Sequence, residues 1–309
     1  MFQHFSTFAD ATSERASLVS IGVFDGVHRG HQYLIRQLVE EAQRRQQRAV
    51  IVTFFPHPDV VLRGISGRYY LTTPEYRAEL LGKLGVDTVI TLPFDDTLRH
   101  QHAGDFVDEM LNYLKISSLW ITADFALGYQ REGDFAFLTA QGQTKGFEVH
   151  SVDLLMQNGG QVIRSSAIRE ALQRGEVDHA QKLLGRQYHV SGEVVRGDQR
   201  GRSIGFPTAN LAVWDELVLP ANGVYAGWAS LKGEKFAAVT NIGVRPTFDG
   251  VQTRVEAHLL DFDRDIYGQT LAFDFVARLR GEQKFSSVQA LVDQIHADVT
   301  QGRKLLGAL

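Results

Sequence analysis

The pattern of apolar residues changes near residue 185, and this change constrains the fold more than any other feature of the sequence. Over roughly the first 185 residues, short apolar runs alternate with segments of helical periodicity. This rhythm predicts an α/β domain in which a parallel sheet carries helices on its faces. From about residue 187, strand-like runs are separated by Gly, Pro and Asp turns, which predicts a small antiparallel β-barrel. The sequence therefore predicts two domains, residues 1–184 and 185–309.

The predicted elements follow from apolar runs for strands and from helical spacing for helices. In the first domain the predicted strands are 18–23, 49–55, 86–92 and 119–123, and the predicted helices are 30–45, 74–84 and 103–114. In the second domain the predicted strands are 188–195, 224–231, 236–242, 254–262 and 270–279. A C-terminal helix, capped by Ser286 or Ser287, is predicted to run to about Arg303 with an apolar face. That face comprises Val288, Leu291, Val292, Ile295 and Val299.

The composition is that of a globular protein and excludes several classes of function. The 309 residues are 44% hydrophobic and 22% charged, with a formal net charge of -4. This balance argues against a general nucleic-acid binder, which usually shows a basic excess. The chain has no cysteine, so it holds no disulfide, thiolate nucleophile or cysteine-bound metal. We find no signal-peptide pattern and no apolar run of about 18 residues, and we expect a cytoplasmic protein without a membrane partner.

A glycine-rich segment follows the first predicted strand and contains two histidines. It reads GVFDGVHRGH over residues 22–31, and a helix is predicted to begin at about Gly30. The start of a helix offers free N–H groups and a partial positive charge, which suit a phosphate. His28 and His31 are three residues apart and can stabilise charge that develops on a phosphate. Alternatively, they are surface or capping histidines. The segment contains no Walker A lysine motif, so it is not a P-loop.

A second helix start lies at residues 164–170, with the sequence RSSAIRE. Ser165 or Ser166 can simply cap this helix. Arg169 is less easily explained, because a cation in the first turn opposes the positive end of the helix dipole. A bound anion would remove this conflict. The alternative is an Arg169 side chain that extends into solvent.

These segments together resemble the HxGH nucleotidyltransferases, and in particular the adenylyltransferase module of bacterial bifunctional FAD synthetases. The resemblance rests on GVFDGVHRGH (22–31), TFFPHP (53–58), the 164–170 segment and a loop DFALGYQREGD at 124–134. It implies a Rossmann-like fold in which His28 and His31 contact ATP phosphates and stabilise the transition state. It also implies that Asp124 and Arg131 contact the flavin. The other implied nucleotide-binding residues are Gly22, Phe24, Asp25, Gly26, Gly30, Ser165, Ser166 and Arg169.

The predicted barrel contains a second group of candidate residues. In GDQRGRSIGFPTAN (197–210), Thr208 and Asn210 face the same way if the segment is extended. Their hydroxyl and amide oxygens are suitable ligands for Mg²⁺. Such a loop can equally be an ordinary turn. In RVEAHLL (254–260), Glu256 and His258 alternate with apolar residues and should face away from the barrel core. Glu256 is then either a solvated side chain or a general base.

The barrel segments resemble riboflavin kinases, and the matches follow one another in the order of that family. They include GRSIGFPTAN (201–210), NIGVRPTF (241–248), the 254–260 segment, DIYG (265–268) and RGEQKF (280–285). The resemblance implies that Thr208 and Asn210 bind Mg²⁺ together with ATP, and that Glu256 activates the ribityl 5′-hydroxyl. It further implies nucleotide binding by Gly201, Arg202 and Gly205.

Both resemblances together imply an enzyme that phosphorylates riboflavin to FMN and then adenylates FMN to FAD. ATP, riboflavin and FMN would be its small-molecule partners, and the sequence implies neither a nucleic-acid partner nor a particular oligomer. Two alternatives remain. The first domain could transfer a nucleotide to another phosphorylated acceptor, with the barrel as an accessory domain. The chain could also be a flavin-binding or regulatory protein without catalytic activity.

Overall fold

The computed structural model describes residues 2–153, 162–197, 201, 204–247 and 250–308. Contacts between residues divide the chain into two compact units. Unit 1 comprises residues 1–66 and 71–165, and unit 2 comprises residues 67–70 and 166–309. The division into domains 1–184 and 185–309 stays a prediction. Within the described ranges, none of the helices is long and apolar enough to cross a membrane.

Unit 1 is built on a sheet of six parallel strands, as the alternation of apolar runs predicted. The order across the sheet is β1-β4-β3-β2-β5-β6. The strands are β1 (Gln3–Phe5), β2 (Ser17–Ile21), β3 (Arg48–Phe55), β4 (Thr88–Pro93), β5 (Ile116–Thr122) and β6 (Glu148–Val152). The sheet order reverses at β2, and crevices at the carboxyl ends of such strands are the usual ligand sites of open α/β sheets.

Helices pack on both faces of this sheet because successive strand residues point to opposite sides. Leu18 of β2 lies in one core cluster with helix α1, whereas its neighbour Val19 lies in the other cluster with helix α5. The helices of unit 1 are α1 (Arg29–Arg44), α2 (Pro58–Arg63), α3 (Pro74–Lys83), α4 (Asp96–His100), α5 (Ala103–Leu114) and α6 (Phe135–Lys145). The α/β prediction for the first part of the chain is therefore confirmed.

Unit 2 contains a closed antiparallel barrel of six strands, which confirms the second fold prediction. The order around the barrel is β10-β11-β8-β7-β12-β9. The strands are β7 (Tyr188–Val195), β8 (Ala209–Val213), β9 (Gly223–Leu231), β10 (Glu234–Thr247), β11 (Gly250–Leu259) and β12 (Thr270–Arg280). Two helices, α7 (Ser165–Arg174) and α8 (Val177–Leu184), precede the barrel. Helix α8 packs on β7 and β12.

The C-terminal helix α9 (Val288–Leu306) begins as predicted, with Ser287 as its cap and the Ser287 hydroxyl accepting from the Ala290 N–H. Of the five residues of its predicted apolar face, Val288 in the first turn is 66% exposed, and Leu291, Val292, Ile295 and Val299 are partly buried. The buried positions are instead Asp298 and Gly302. Asp298 forms an ion pair at 2.8 Å with Arg280 of β12, which ties the helix to the barrel.

A short piece of the N-terminal half of the sequence, residues 67–70, is part of unit 2. The N–H groups of Tyr69 and Tyr70 both donate to the Glu216 carbonyl, and the Tyr70 carbonyl accepts from the Val218 N–H. The Arg68 guanidinium donates to the Leu217 carbonyl at 2.8 Å. Unit 2 therefore includes a strand-like contact between residues that lie more than 140 positions apart in the chain.

Candidate active sites

The glycine-rich segment between β2 and α1 is a strained loop held by many hydrogen bonds. Phe24 and Val27 have positive φ values of 52° and 41°, a conformation that side-chain-bearing residues rarely adopt. The Val23 carbonyl accepts from the Thr53 hydroxyl at 2.8 Å, and the Val27 carbonyl accepts from the Gln32 amide at 2.9 Å. Such strain persists only where the surrounding structure determines the conformation, and it is common at ligand sites.

The two predicted histidines lie against each other at the start of α1. The imidazole rings of His28 and His31 stack with centroids 3.6 Å apart. His28 is also the cap of α1, because its Nδ1 accepts from the His31 N–H at 3.3 Å. Gly30 makes room for this arrangement, since a Cβ at that position would lie 3.0 Å from the His28 ring. His28 is therefore a capping residue, as one of the alternatives from the sequence proposed. This role does not exclude binding of phosphate by its ring.

His31 is held in its neutral form. Its pKa lies well below the ordinary value of 6.5, first because burial disfavours the imidazolium, and further because of His28 and the Arg77 guanidinium. Its Nδ1 is buried and has no hydrogen-bond partner among the described residues. A buried polar atom of this kind costs free energy unless a ligand or water satisfies it. The buried Nδ1 of His31 therefore points to a ligand or water that binds at the stacked pair.

Asp25 and Phe24, predicted to bind nucleotide, both turn their side chains inward. The Asp25 carboxylate is 1% exposed and accepts from the N–H groups of Leu71 and Thr72, at 2.9 Å and 3.2 Å. The N–H of Gly26 donates to the Thr72 hydroxyl at 3.3 Å. The Phe24 ring packs in the core beside Gly22 and meets the edge of His31. These residues fix the shape of the loop around the histidines.

The second predicted helix start is present as α7. The Ser165 hydroxyl donates to the Asp25 carbonyl at 2.9 Å, and the Ser166 side chain is exposed. Arg169 lies in unit 2, where its Nε donates to the Tyr69 carbonyl at 2.7 Å and its guanidinium lies 3.9 Å from the Tyr69 ring centroid. The Tyr69 carbonyl and the electron-rich face of the Tyr69 ring thus offset the unfavourable position of this cation at the start of the helix. Neither a bound anion nor extension into solvent, the two alternatives considered from the sequence, describes this contact.

The loop at residues 124–134 brings together the two predicted flavin-binding residues. The Arg131 guanidinium donates to the Asp124 carbonyl at 3.0 Å, and the Asp124 side chain is exposed. Glu132 anchors the loop on α5, because its carboxylate accepts from the Ala103 N–H at 2.7 Å and lies 2.9 Å from His102 Nδ1. These two contacts hold the Glu132 pKa below its ordinary value.

In unit 2, the register of the barrel places Asn210 directly opposite Glu256 on neighbouring strands. Their side chains lie on one face, because directly opposed residues share a face of the sheet. The Glu256 side chain is 30% exposed, and its carboxylate lies 4.0 Å from the Arg254 guanidinium. Glu256 is therefore accessible to a substrate and adjacent to a predicted metal ligand. The alternation of Glu256 with apolar residues in the sequence could not show that Asn210 is its neighbour.

A cavity of about 360 Å³ in unit 2 includes both predicted metal ligands, Thr208 and Asn210, in its wall. The Asn210 amide packs against Gly197, and Gly201 approaches both the Phe206 carbonyl and the Thr208 hydroxyl. Gly205 adopts a φ of 90° in the turn that precedes them. Arg202 lies outside the described residues. Sequence reasoning assigned no role to six further residues that line the cavity, Phe262, Asp263, Arg264, Asp265, Ile266 and Tyr267.

His258 supports the metal-ligand segment, a role that sequence reasoning missed. Its Nδ1 lies 2.8 Å from the Pro207 carbonyl, and its ring meets the Phe206 ring at a centroid distance of 5.5 Å. The same strand, β11, thus carries Glu256 and the residue that holds the turn before Thr208. The only signal in the sequence was the alternation that put both polar residues on one side of the strand.

Comparisons with known proteins match both parts of the chain. A family model described as FAD synthetase matches residues 10–167, and one described as riboflavin kinase matches residues 184–306. A bifunctional riboflavin kinase/FMN adenylyltransferase from Escherichia coli K12 is 36% identical over 95% of this chain and 94% of its own length. The protein of that name from Haemophilus influenzae is 39% identical over 91% of each chain.

A solved structure has the same fold over nearly the full length. It is described as a macrolide-efflux protein from Streptococcus pneumoniae, and it covers 98% of this chain and 99% of its own with a TM-score of 0.86 and 31% identity. Family matches in both parts of the chain and identity above 30% over almost all of it agree with one another. The chain therefore belongs to the family of bifunctional riboflavin kinases/FMN adenylyltransferases.

Proposed function

We propose that this chain makes both flavin coenzymes. The barrel transfers the γ-phosphoryl group of ATP to riboflavin, which gives FMN and ADP, and the N-terminal site joins FMN to AMP from a second ATP, which gives FAD and pyrophosphate. The observation that carries the proposal is the presence of a separate constellation for each reaction: the stacked His28 and His31, and Glu256 opposite Asn210. Each lies within the residues matched by the corresponding family model.

In the kinase reaction, Glu256 acts as the general base. Its carboxylate takes the proton of the ribityl 5′-hydroxyl while that oxygen forms a bond to the γ-phosphorus and the bond to the ADP oxygen breaks. The side chain is accessible and projects from a rigid barrel strand. Because phosphoryl transfer needs mainly positioning and charge neutralisation, a base on a fixed element is well suited to it.

Thr208 and Asn210 would hold Mg²⁺ at this site together with the ATP phosphates. The donors present fit this ion, because a hydroxyl and an amide oxygen on one cavity wall leave most coordination positions for phosphate and water. The described residues contain no cluster of three or more His, Asp or Glu that could form an all-protein metal cage. When bound, Mg²⁺ supplies charge neutralisation for the transferring phosphoryl group. Gly201, Arg202 and Gly205 are proposed to bind the nucleotide.

In the adenylylation, the histidine pair binds the phosphates at the start of α1. Because His28 Nδ1 accepts a hydrogen bond, its ring carries the proton on Nε2, and that N–H can donate to a phosphate oxygen. An oxygen of the FMN phosphate attacks the α-phosphorus, and the bond to pyrophosphate breaks. The reaction needs no covalent intermediate on the protein.

The remaining predicted residues surround this step. Ser165, Ser166 and Arg169 are proposed to bind the triphosphate, and Asp124 and Arg131 the flavin. Because the side chains of Phe24 and Asp25 are buried, these two residues and Gly22, Gly26 and Gly30 are proposed to bind the nucleotide through their backbone. We keep the domain limits 1–184 and 185–309 and a cytoplasmic location as proposals, with ATP, riboflavin and FMN as partners and neither nucleic acid nor membrane.

The decisive experiment follows flavins by chromatography after riboflavin, ATP and Mg²⁺ are added to the purified protein. We expect FMN first and FAD later. Glu256→Gln should lower FMN formation at least ~100-fold, an effect of the size typical for general bases, and leave conversion of supplied FMN to FAD intact. The double variant His28→Ala with His31→Ala should accumulate FMN.

Four results would contradict the proposal. Equal loss of both reactions in Glu256→Gln would refute separate sites. FAD production by the double histidine variant would refute the assignment of the first site. Binding of FMN without consumption of ATP would identify a flavin-binding protein, and adenylylation of another acceptor in place of FMN would identify a different nucleotidyltransferase.

A further inference from the structure

Arg77 is one of the most deeply buried charged residues of unit 1. It lies on α3 and is 1% exposed. Its Nη1 donates to the Val23 carbonyl at 2.7 Å, and its Nη2 donates to the Phe54 carbonyl at 3.1 Å. Burial of a guanidinium costs free energy, and these two hydrogen bonds offset part of that cost. A charged residue that is buried beside the proposed site is a candidate for a role besides stability.

The two carbonyls belong to the segments that leave the carboxyl ends of β2 and β3. Val23 directly precedes the strained loop at residues 24–27, and Phe54 is the penultimate residue of β3, three residues before His57, which caps α2. The guanidinium therefore ties together the two chain segments that enter the site. Its planar, forked donors can fix the distance between two acceptors, which a lysine cannot do in the same way.

The charge of Arg77 also acts on the histidine pair. His28, stacked on His31, and Arg77 are the titratable and charged groups that lower the pKa of His31, after the effect of burial. A cation in a region of low dielectric disfavours a second positive charge nearby and favours a bound anion. Arg77 thus acts together with burial and His28 to disfavour the charged form of His31, and it adds positive charge next to the loop that is proposed to bind the phosphates.

We propose that Arg77 is a positioning residue for adenylyl transfer, which holds the 24–27 loop through the Val23 and Phe54 carbonyls and favours the anionic substrate by its buried charge. This inference rests on the proposed adenylylation of FMN at the same site. Arg77 touches no reacting atom and acts through the loop and through His31.

A second buried arginine provides a matched control. Arg48 is 7% exposed, and its Nη1 and Nη2 donate to the Ala11 carbonyl and the Ser17 hydroxyl, each at 3.1 Å. It lies at the first residue of β3 and beside the first residue of β2, at the opposite end of the sheet from Phe54. Arg48→Met and Arg77→Met therefore remove the same group from similarly buried surroundings, but only Arg77→Met removes it from the site.

The experiment measures KM for ATP, kcat and the pH profile of FMN adenylylation in the wild type and in Arg77→Met, Arg77→Lys and Arg48→Met. The thermal unfolding midpoint of each variant reports on intact folding. In Arg77→Met we expect kcat/KM to fall at least tenfold and the acid limb of the profile to move to higher pH, because loss of the cation raises the pKa of His31. Arg77→Lys should keep the pH profile and recover part of kcat/KM. Arg48→Met should change thermal stability and leave both kinetic measures within twofold.

Two outcomes would overturn the inference. One is an Arg77→Met protein with wild-type kinetics and pH profile, and the other is an equal kinetic loss in Arg48→Met. If Arg77→Met does not fold, the Arg77→Lys protein decides between a positioning role and a purely structural role. A purely structural role predicts that changes in its pH profile and in its KM for ATP parallel its loss of stability. Absence of FAD formation by the wild type would instead refute the proposed function and is visible before any variant is made.

Discussion

Asp25 and Glu256 are both carboxylates near a proposed phosphate site, but their surroundings give them different roles. The Asp25 carboxylate is buried and accepts N–H groups from Leu71 and Thr72, so it organises backbone. Glu256 is partly exposed and opposite Asn210, so it can reach a substrate. The sequence predicted a functional role for each of them, and it could not distinguish them because the partner of a carboxylate depends on segments distant in the chain.

We predict that Asp25→Asn destabilises the protein by about 2 kcal/mol, because hydrogen bonds to a charged acceptor are worth roughly 1.5–3 kcal/mol and the amide is a weaker acceptor. Urea unfolding would measure this change. Asp124→Asn is the control, since its side chain is exposed and a change within about 0.5 kcal/mol is expected for a surface site. Equal midpoints for both variants would show that the Asp25 contacts do not stabilise the loop.

At the scale of the element, the loop at residues 124–134 depends on a close approach to helix α5. Gly128 has a φ of 78°, and a Cβ on it would lie 2.6 Å from the Ala103 backbone nitrogen. The Tyr129 N–H donates to the Gln101 carbonyl at 2.9 Å, and Glu132 accepts from the Ala103 N–H. The loop is thus fixed at both ends of its central turn, which would hold the Arg131 guanidinium at the Asp124 carbonyl.

We predict that Gly128→Ala lowers stability more than Gly146→Ala does. Gly146 has a similar φ of 82°, but a Cβ added there would meet no atom within 4 Å, so its replacement costs only the left-handed conformation, about 1–2 kcal/mol. Gly128→Ala adds a backbone clash on top of this and should also raise KM for FMN, because the loop must move from α5. Chemical unfolding and adenylylation kinetics would test both expectations. Equal effects of the two variants would show that the loop accommodates the methyl group.

Helices and strands could be predicted from the sequence where their apolar residues recur with a clear period. The apolar spacing of α1 and the strand runs placed most elements correctly, because burial on one or both faces imposes these periods. Strand β8 was not predicted, since residues 209–213 follow a turn-rich segment, and its pairing with β11 decides where Asn210 lies. Arg77 on α3 carried no recognisable signal, because helical periodicity does not show which carbonyls a buried side chain meets.

At the scale of the whole molecule, helix α8 is an integral part of unit 2. The helix packs on β7 and β12, and its buried residues are Val177, Ala180, Leu183 and Leu184. The riboflavin kinase model begins at residue 184 and so leaves nearly all of this helix outside its match. A fragment that follows the matched residues would expose the barrel surface that α8 covers.

We predict that a fragment of residues 185–309 is less stable than one of residues 166–309. Loss of Leu183 and Leu184 alone removes burial worth about 3–6 kcal/mol, at roughly 1.5–3 kcal/mol for each buried leucine. Urea unfolding midpoints of the two fragments would show the difference, and riboflavin kinase activity would confirm that each had folded. Coincident midpoints would mean that α8 contributes nothing to the stability of the barrel.

Because residues 67–70 are built into unit 2, the two units do not correspond to two consecutive stretches of the gene. A single recombination event near residue 165 would bring in a foreign barrel and leave behind the codons for Tyr69 and Tyr70, whose backbone meets Glu216 and Val218. The contacts of unit 2 would be inherited intact only if both stretches moved together. Exchange of residues 166–309 alone is therefore expected to break these contacts.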